Sequence, residues 1–153
     1  MAAISQDAEA ARVRQTVLAM VTSVDVREFD VLRRLFAPQV LLDYRSLWGG
    51  EAQTQTPETI IQSWRRVLPG FDATWHELGD IAVSFTGERA QATCSVDARH
   101  WLGQQIWRLK GRYELSLEGG KRWRISALTL ELSDEQGNRK LVEQATARAM
   151  SES

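Results

Sequence analysis

Cysteine is nearly absent from this chain. Among 153 residues only Cys94 carries a thiol, which excludes an intramolecular disulfide framework and suits a reducing compartment. An excess of charge of one sign is missing too. The 19 basic and 20 acidic residues leave a formal net charge of −1, so no strong field steers nucleic acid or acidic lipid toward the surface. No apolar run approaches the roughly 20 residues of a bilayer-crossing helix. The amino terminus, MAAISQDAEAARVRQ, has neither the basic nor the apolar region of a secretory signal. A cytoplasmic protein with no membrane and no nucleic-acid partner is expected. A phosphate loop, a dinucleotide fingerprint, a GxSxG elbow and a heptad array are all lacking, and no cofactor is expected.

What is present fits an ordinary globular chain. Hydrophobic residues make up 43% and charged residues 25%, and the length suits one domain, drawn here over residues 1–153, with a sizeable core. Large rings stand out, with six tryptophans against two tyrosines. Such rings fill cores, and they also line pockets for flat organic ligands.

Periodicity divides the chain into helices and then strands. Val13, Val17, Leu18 and Val21 recur at helical spacing over residues 7–23, with Asp7 and Glu9 in the first turn. A second helix carries Phe29, Leu32, Leu35 and Phe36 on one stripe, and Pro38 prevents its continuation. A strand over 40–46 then places Tyr44 on the face of Val40 and Leu42, with Asp43 and Arg45 on the other. After a polar loop over 49–53, Thr56-Pro57-Glu58 opens a third helix that Pro69-Gly70 stops. Four long strands are expected over about 73–85, 90–102, 105–117 and 122–132, with hairpin turns at 86–89, 103 and 118–121. A turn over 134–138 leads to a last amphipathic helix, 139–150. Helices first and an antiparallel meander second make an α+β fold, with helices on one face of a curved sheet that encloses a cone-shaped cavity.

The chain has two histidines, His76 and His100. His100 ends a strand face of small residues, Ala90, Ala92, Cys94, Val96 and Ala98. It reads either as the floor of a pocket or as a core histidine bonded to a backbone carbonyl. His76, on the preceding strand, falls opposite it across the turn at 87–88. Two adjacent imidazoles can hold opposite protonation states near neutral pH, as a general acid and base require. Asp25 is placed either to cap the second helix or to orient an imidazole, and the residues alone favour the cap. No HxH or HxxxH spacing supports a metal, and none is expected. Arg108, Lys110, Arg112 and Glu114 alternate with Trp107, Leu109, Gly111 and Tyr113, which suits a solvated or subunit-contacting face opposite a core face.

The stretch FDVLRRLFAPQVLLDYRS, with its AP turn and DYRS end, resembles the helix-into-strand segment of the nuclear transport factor 2-like superfamily, in its SnoaL-like branch that includes the scytalone dehydratases. The similarity runs over roughly residues 10 to 132. It implies a cone-shaped α+β barrel, a curved antiparallel sheet wrapped around the amino-terminal helices. By position, the family's catalytic aspartate falls on Asp25, its strand tyrosine on Tyr44, and its two histidines on His76 (in TWHELG) and His100 (in DARHWL). The resemblance, rather than spacing, moves Asp25 from cap to site.

The match has departures. The family's second tyrosine, beside the aspartate, is Val24. Its third-strand serine and asparagine fall near Lys110 and Arg112 or, one residue over, leave Gly111 or Tyr113 facing the pocket. The long carboxy-terminal lid of the dehydratases is not recognisable. What the resemblance implies is a cofactor-independent lyase or isomerase acting on a small hydrophobic cyclic ketone or alcohol. Trp48, Trp101, Trp107 and Tyr113 are expected against the substrate. A polyketide cyclase, or a non-catalytic ligand-binding or assembly module, uses the same scaffold. A homo-oligomer, dimer or trimer, is implied as well.

Overall fold

Ser5 opens the first helix. In the computed structural model, which describes residues 5–151, its hydroxyl accepts from the Ala8 amide at 3.1 Å, and α1 (Gln6–Asp25) follows. The parts of the amino-terminal and whole-domain readings that fall on residues 1–4 and 152–153 lie outside the described residues. The apolar stripe of α1, from Val13 to Val24, is buried against the sheet. α2 (Phe29–Arg34) buries Phe29 and Leu32 and stops before the expected Phe36, which begins β1 (Phe36–Asp43) instead. Pro38 lies inside β1, where the register against the neighbouring strand shifts between Phe36 and Leu41. A bulge of this kind does not require the missing proline N–H.

Tyr44 is not a strand residue. The Asp43 carboxylate accepts from the Arg45 amide at 3.1 Å and from its guanidinium at 2.9 and 2.7 Å. That local turn curls the chain, so Tyr44 precedes a single helical turn, α3 (Arg45–Trp48). Three residues of the stretch after it, read as loop giving way to helix, form the short strand β2 (Gln53–Gln55). Thr56 then caps α4 (Pro57–Arg65), its hydroxyl accepting from the Thr59 amide at 3.2 Å. A 3-10 turn, Leu68–Gly70, ends the helical half.

The strand expected over 73–85 is two strands, β3 (Ala73–Leu78) and β4 (Ala82–Thr86), both paired with β5 (Arg89–Leu102). The break falls at Gly79, where a Cβ would lie 2.2 Å from the Ser95 hydroxyl oxygen. β6 (Gln105–Glu118) and β7 (Arg124–Gly137) complete the sheet. β7 runs through the turn expected over 134–138, because the long β6 continues to pair with it as far as Trp107 opposite Gly137. α5 (Leu141–Ser151) follows.

The strand order is β2-β1-β7-β6-β5-β3, with β4 also on β5. Every pairing is antiparallel except that of β1 with β7, which is parallel. The sheet is curved and unclosed, and the amino-terminal helices pack in its hollow. The small-residue face of β5 lies on the inside, with Ala90, Ala92, Cys94, Val96 and Ala98 all buried. Among the described residues, no helix is long and apolar enough to cross a membrane.

Candidate active site

The hollow between α1, α4, the inner face of the sheet and the start of α5 holds a cavity of about 220 Å³. Its walls are mostly aliphatic and aromatic, including Met20, Val24, Trp64, Phe71, Leu109 and Leu130. Ligand pockets for drug-sized molecules run from about 300 Å³ upward, so this space suits a smaller compound. Polar groups are few, and they come from His76, His100, Tyr44, Tyr113 and Ser63.

Both readings of His100 hold at once. The ring lines the cavity, and its Nδ1–H donates to the Trp107 carbonyl at 3.0 Å. Trp107 pairs with His100 across β5 and β6, and its ring lies against the imidazole, 4.7 Å between centroids. Burial, and then the neighbouring His76, depress the His100 pKa from 6.5 to about 4. His100 is therefore neutral at neutral pH, with Nε2 left as a bare acceptor.

His76 stands opposite Ala98, and Thr74 stands opposite His100, so the two histidines are diagonal neighbours rather than the directly opposed pair expected. The two-residue offset keeps both on the inner face. Their rings meet edge to face at 5.8 Å. Asp25 is the last residue of α1 and caps no helix: the residue before α2 is Glu28, whose side chain makes no capping bond. The Asp25 carboxylate turns instead to β3. Oδ1 accepts from His76 Nδ1 at 2.7 Å and from the Thr74 hydroxyl at 3.0 Å, and Oδ2 accepts from the His76 amide at 2.8 Å. Burial pushes this carboxyl up, but the hydrogen bonds and charge of His76, with Thr74, outweigh it and leave the pKa below the ordinary value. An ionised Asp25 can only accept, so His76 Nδ1 is the donor in the bond between them.

Tyr44 and Tyr113 approach the cavity from α3 and β6, and burial pushes both phenols well above the ordinary range. Among the described residues, neither hydroxyl has a hydrogen-bond partner. A hydroxyl that lines the cavity without a protein partner can hydrogen-bond a ligand oxygen placed there. The register on β6 resolves in favour of Tyr113, while Arg112 is exposed and paired with Glu114.

Trp107 and Trp48 line the cavity, tilted against each other at 5.8 Å. Trp48 is 51% exposed and lies under the Arg139 guanidinium, which makes it a rim residue. The structure does not bring Trp101 to the cavity. It is one residue past His100 on β5, where alternation puts it on the outer face opposite Ile106. That outer face carries Asp97 between Arg99 and Arg108, bonded at 3.0 and 2.6 Å, the solvated face expected for these charges.

Sequence reasoning missed Arg27, Thr74, Trp64 and Val142. Thr74 shares the parity of His76, which was a usable signal. Arg27 gave none, because its backbone is left-handed, with φ 63°. It occupies the position where a Schellman helix end favours glycine, with Arg27 N–H donating to Val24 O at 3.2 Å and Glu28 N–H to Ser23 O at 2.8 Å. Holding a non-glycine residue there costs roughly 1–2 kcal/mol.

A helical hollow roofed by a curved sheet, with an Asp–His pair facing a second histidine, defines a class of small-molecule-binding α+β domain. The chain belongs to the SnoaL-like domain family, whose model matches residues 7–129. Solved structures share the fold. A Kribbella flavida protein superposes with a TM-score of 0.83 at 23% identity, covering 92% of this chain and 99% of its own. A presumed scytalone dehydratase of Novosphingobium aromaticivorans gives 0.73 at 16%, covering 86% and 88%. The hexachlorocyclohexane dehydrochlorinase LinA-type3 of Novosphingobium barchaimii gives 0.72 at 15%, covering 86% and 91%. An uncharacterized protein of Mycobacterium tuberculosis is 28% identical over 93 residues, so the chain spans 60% of that relative's length, as the match spans 60% of this chain.

Proposed function

We propose that the protein is a cofactor-independent lyase that eliminates water from a small hydrophobic cyclic β-hydroxy ketone. The observation that carries this reading is the convergence of His76, oriented by Asp25, with two unpartnered phenols on one small apolar cavity. His76 Nε2 removes the proton α to the carbonyl, and Asp25 stabilises the imidazolium that forms. The developing enolate oxygen takes hydrogen bonds from Tyr44 and Tyr113, donors placed where negative charge grows. Neutral His100 accepts from the substrate hydroxyl through Nε2 and orients it. The enolate then collapses to a C=C bond as the β-C–O bond breaks, and the His76 imidazolium returns its proton to the leaving oxygen, which departs as water. Trp48 and Trp107 flank the substrate rings at the mouth.

The names of two fold neighbours, a presumed dehydratase and a dehydrochlorinase, both describe eliminations and support this reaction class. General acid–base groups contribute roughly 10²–10⁴ in rate. His76→Ala is therefore expected to lower turnover of a cyclic β-hydroxy ketone by that factor with the fold retained by circular dichroism. Full activity in both His76→Ala and His100→Ala would refute the mechanism.

This reading includes self-association. Trp75, 54% exposed on the outer face of β3 opposite Arg99, offers a second copy an apolar anchor. Sedimentation velocity on Trp75→Glu tests it through loss of the dimer or trimer; a wild-type protein that sediments as a monomer would refute it.

A further inference from the structure

We infer that Arg27 and Thr74 are positioning residues, a brace that holds Asp25 as an acceptor-only carboxylate facing His76. The inference rests on His76 acting as the base. Neither residue lines the cavity, so neither touches a substrate. Their hydrogen bonds nonetheless form a directed chain. Arg27 Nη1 donates to the Thr74 hydroxyl oxygen at 2.8 Å, and that hydroxyl lies 3.0 Å from Asp25 Oδ1.

The direction of this chain is forced. A guanidinium only donates, so the Thr74 oxygen accepts from Arg27 and spends its single proton on Asp25. Arg27 is fixed at its own end by two backbone carbonyls, Val24 at 2.7 Å and Leu68 at 2.9 Å. It thus ties the end of α1 to the 3-10 turn under the cavity and aims at β3. Asp25 Oδ1 accepts from Thr74 and from His76, while Oδ2 accepts the His76 amide. A carboxylate bound on three sides cannot rotate, and the imidazole it orients cannot turn.

The backbone of Arg27 supplies a second, independent observation. Glycine would end α1 without strain, yet arginine is held left-handed there. Strain of this kind, kept at the edge of a site, is an indicator of functional constraint. The charged and titratable groups around Asp25 are Arg27 beyond α1, His76 on β3, His100 on β5 and Tyr113 on β6. Arg27 is the permanent cation among them.

The test is a ¹³C NMR titration of the Asp25 carboxyl in the ligand-free protein, which needs no substrate. Removing the hydroxyl donor in Thr74→Val, or the cation in Arg27→Gln, disfavours the carboxylate, so its titration is expected to move up by about one pH unit. Thr74→Ser restores the wild-type curve. A purely structural role for these residues would leave the titration in place. Unchanged titration in a folded Thr74→Val protein overturns the brace, and because valine keeps the shape of threonine, this variant decides alone if Arg27→Gln does not fold. Failure to find turnover on any ketone would count against the proposed lyase and leave the NMR result standing. With turnover in hand, Thr74→Val is expected to lower kcat about tenfold with KM unchanged and to raise the acid limb of the rate profile. Equal loss at every pH would overturn the brace.

Discussion

His100 makes the stability of this protein depend on pH in a defined direction. The unfolded chain takes up a proton on this imidazole as the pH falls through about 6.5, whereas the folded protein resists until about 4. Folding therefore excludes a proton, and stability declines from pH 6.5 downward, the loss being complete below about pH 4. At 1.36 kcal/mol for each pH unit between the two values, the full penalty is about 3 kcal/mol. That is a large share of the 5–15 kcal/mol typical of a domain. The depressed Asp25 carboxyl adds to the decline at still lower pH, since its contribution is lost as the carboxylate is protonated. The perturbation that isolates the imidazole is His100→Gln, which keeps a donor for the Trp107 carbonyl and removes the titration. Urea unfolding, followed by tryptophan fluorescence at pH 7 and pH 4.5, is the assay. The wild type is expected to lose roughly 2–3 kcal/mol more than the variant between these two conditions. Equal losses in the two proteins would show that His100 is not held neutral by burial, and the assignment of Nε2 as a bare acceptor would fail with it.

Two further outcomes follow from the same geometry. Tyr44→Phe and Tyr113→Phe each remove one donor for the enolate oxygen, so each is expected to lower kcat by about 10²–10³ with the fold unchanged; steady-state kinetics checks this, and unaltered kcat in both would remove the phenols from the mechanism. Gly70→Ala places a Cβ 1.8 Å from the Ala145 carbonyl oxygen, a backbone atom that can move only with α5. A loss of about 1–3 kcal/mol is expected from such overpacking, read as a lower Tm together with faster amide exchange in α5.

The strands were legible where one face is buried and the other wet. Alternation along β5 placed His100 at the end of a small-residue face, and the structure buries that face. Local chemistry hid the rest. Asp43 captures Arg45 and ends β1 one residue before Tyr44, so the tyrosine reaches the cavity from a helical turn rather than a strand, a change that parity cannot reveal. Gly79 breaks the expected strand over 73–85, and glycine inside a strand pattern is a recognised signal for such a break. The register of β4, continued, would set His76 opposite Arg99 on the outer face, and the one-residue shift at the break sets it opposite Ala98 on the inner face, diagonal to His100. Hairpin arithmetic therefore brought the right rings together through the wrong register. Trp101 fails by the same rule of alternation that places His100 correctly. The parallel pairing of β1 with β7 joins segments about 85 residues apart and has no local signature. Asp25 was ambiguous because a carboxylate at a helix boundary can serve either a cap or a site, and only the tertiary packing of α1 on β3 separates the two.

Base catalysis can be observed before any dehydration substrate is known. A benzo-fused cyclic ketone such as α-tetralone, held in D₂O with the protein, exchanges its α-hydrogens only as fast as a base removes them, and ¹H NMR follows the loss of signal. Wild-type protein is expected to accelerate this exchange, and His76→Ala and Asp25→Asn to slow it by about 10²–10⁴. Exchange no faster with the wild type than with His76→Ala would contradict the assignment of His76, oriented by Asp25, as the base in this cavity.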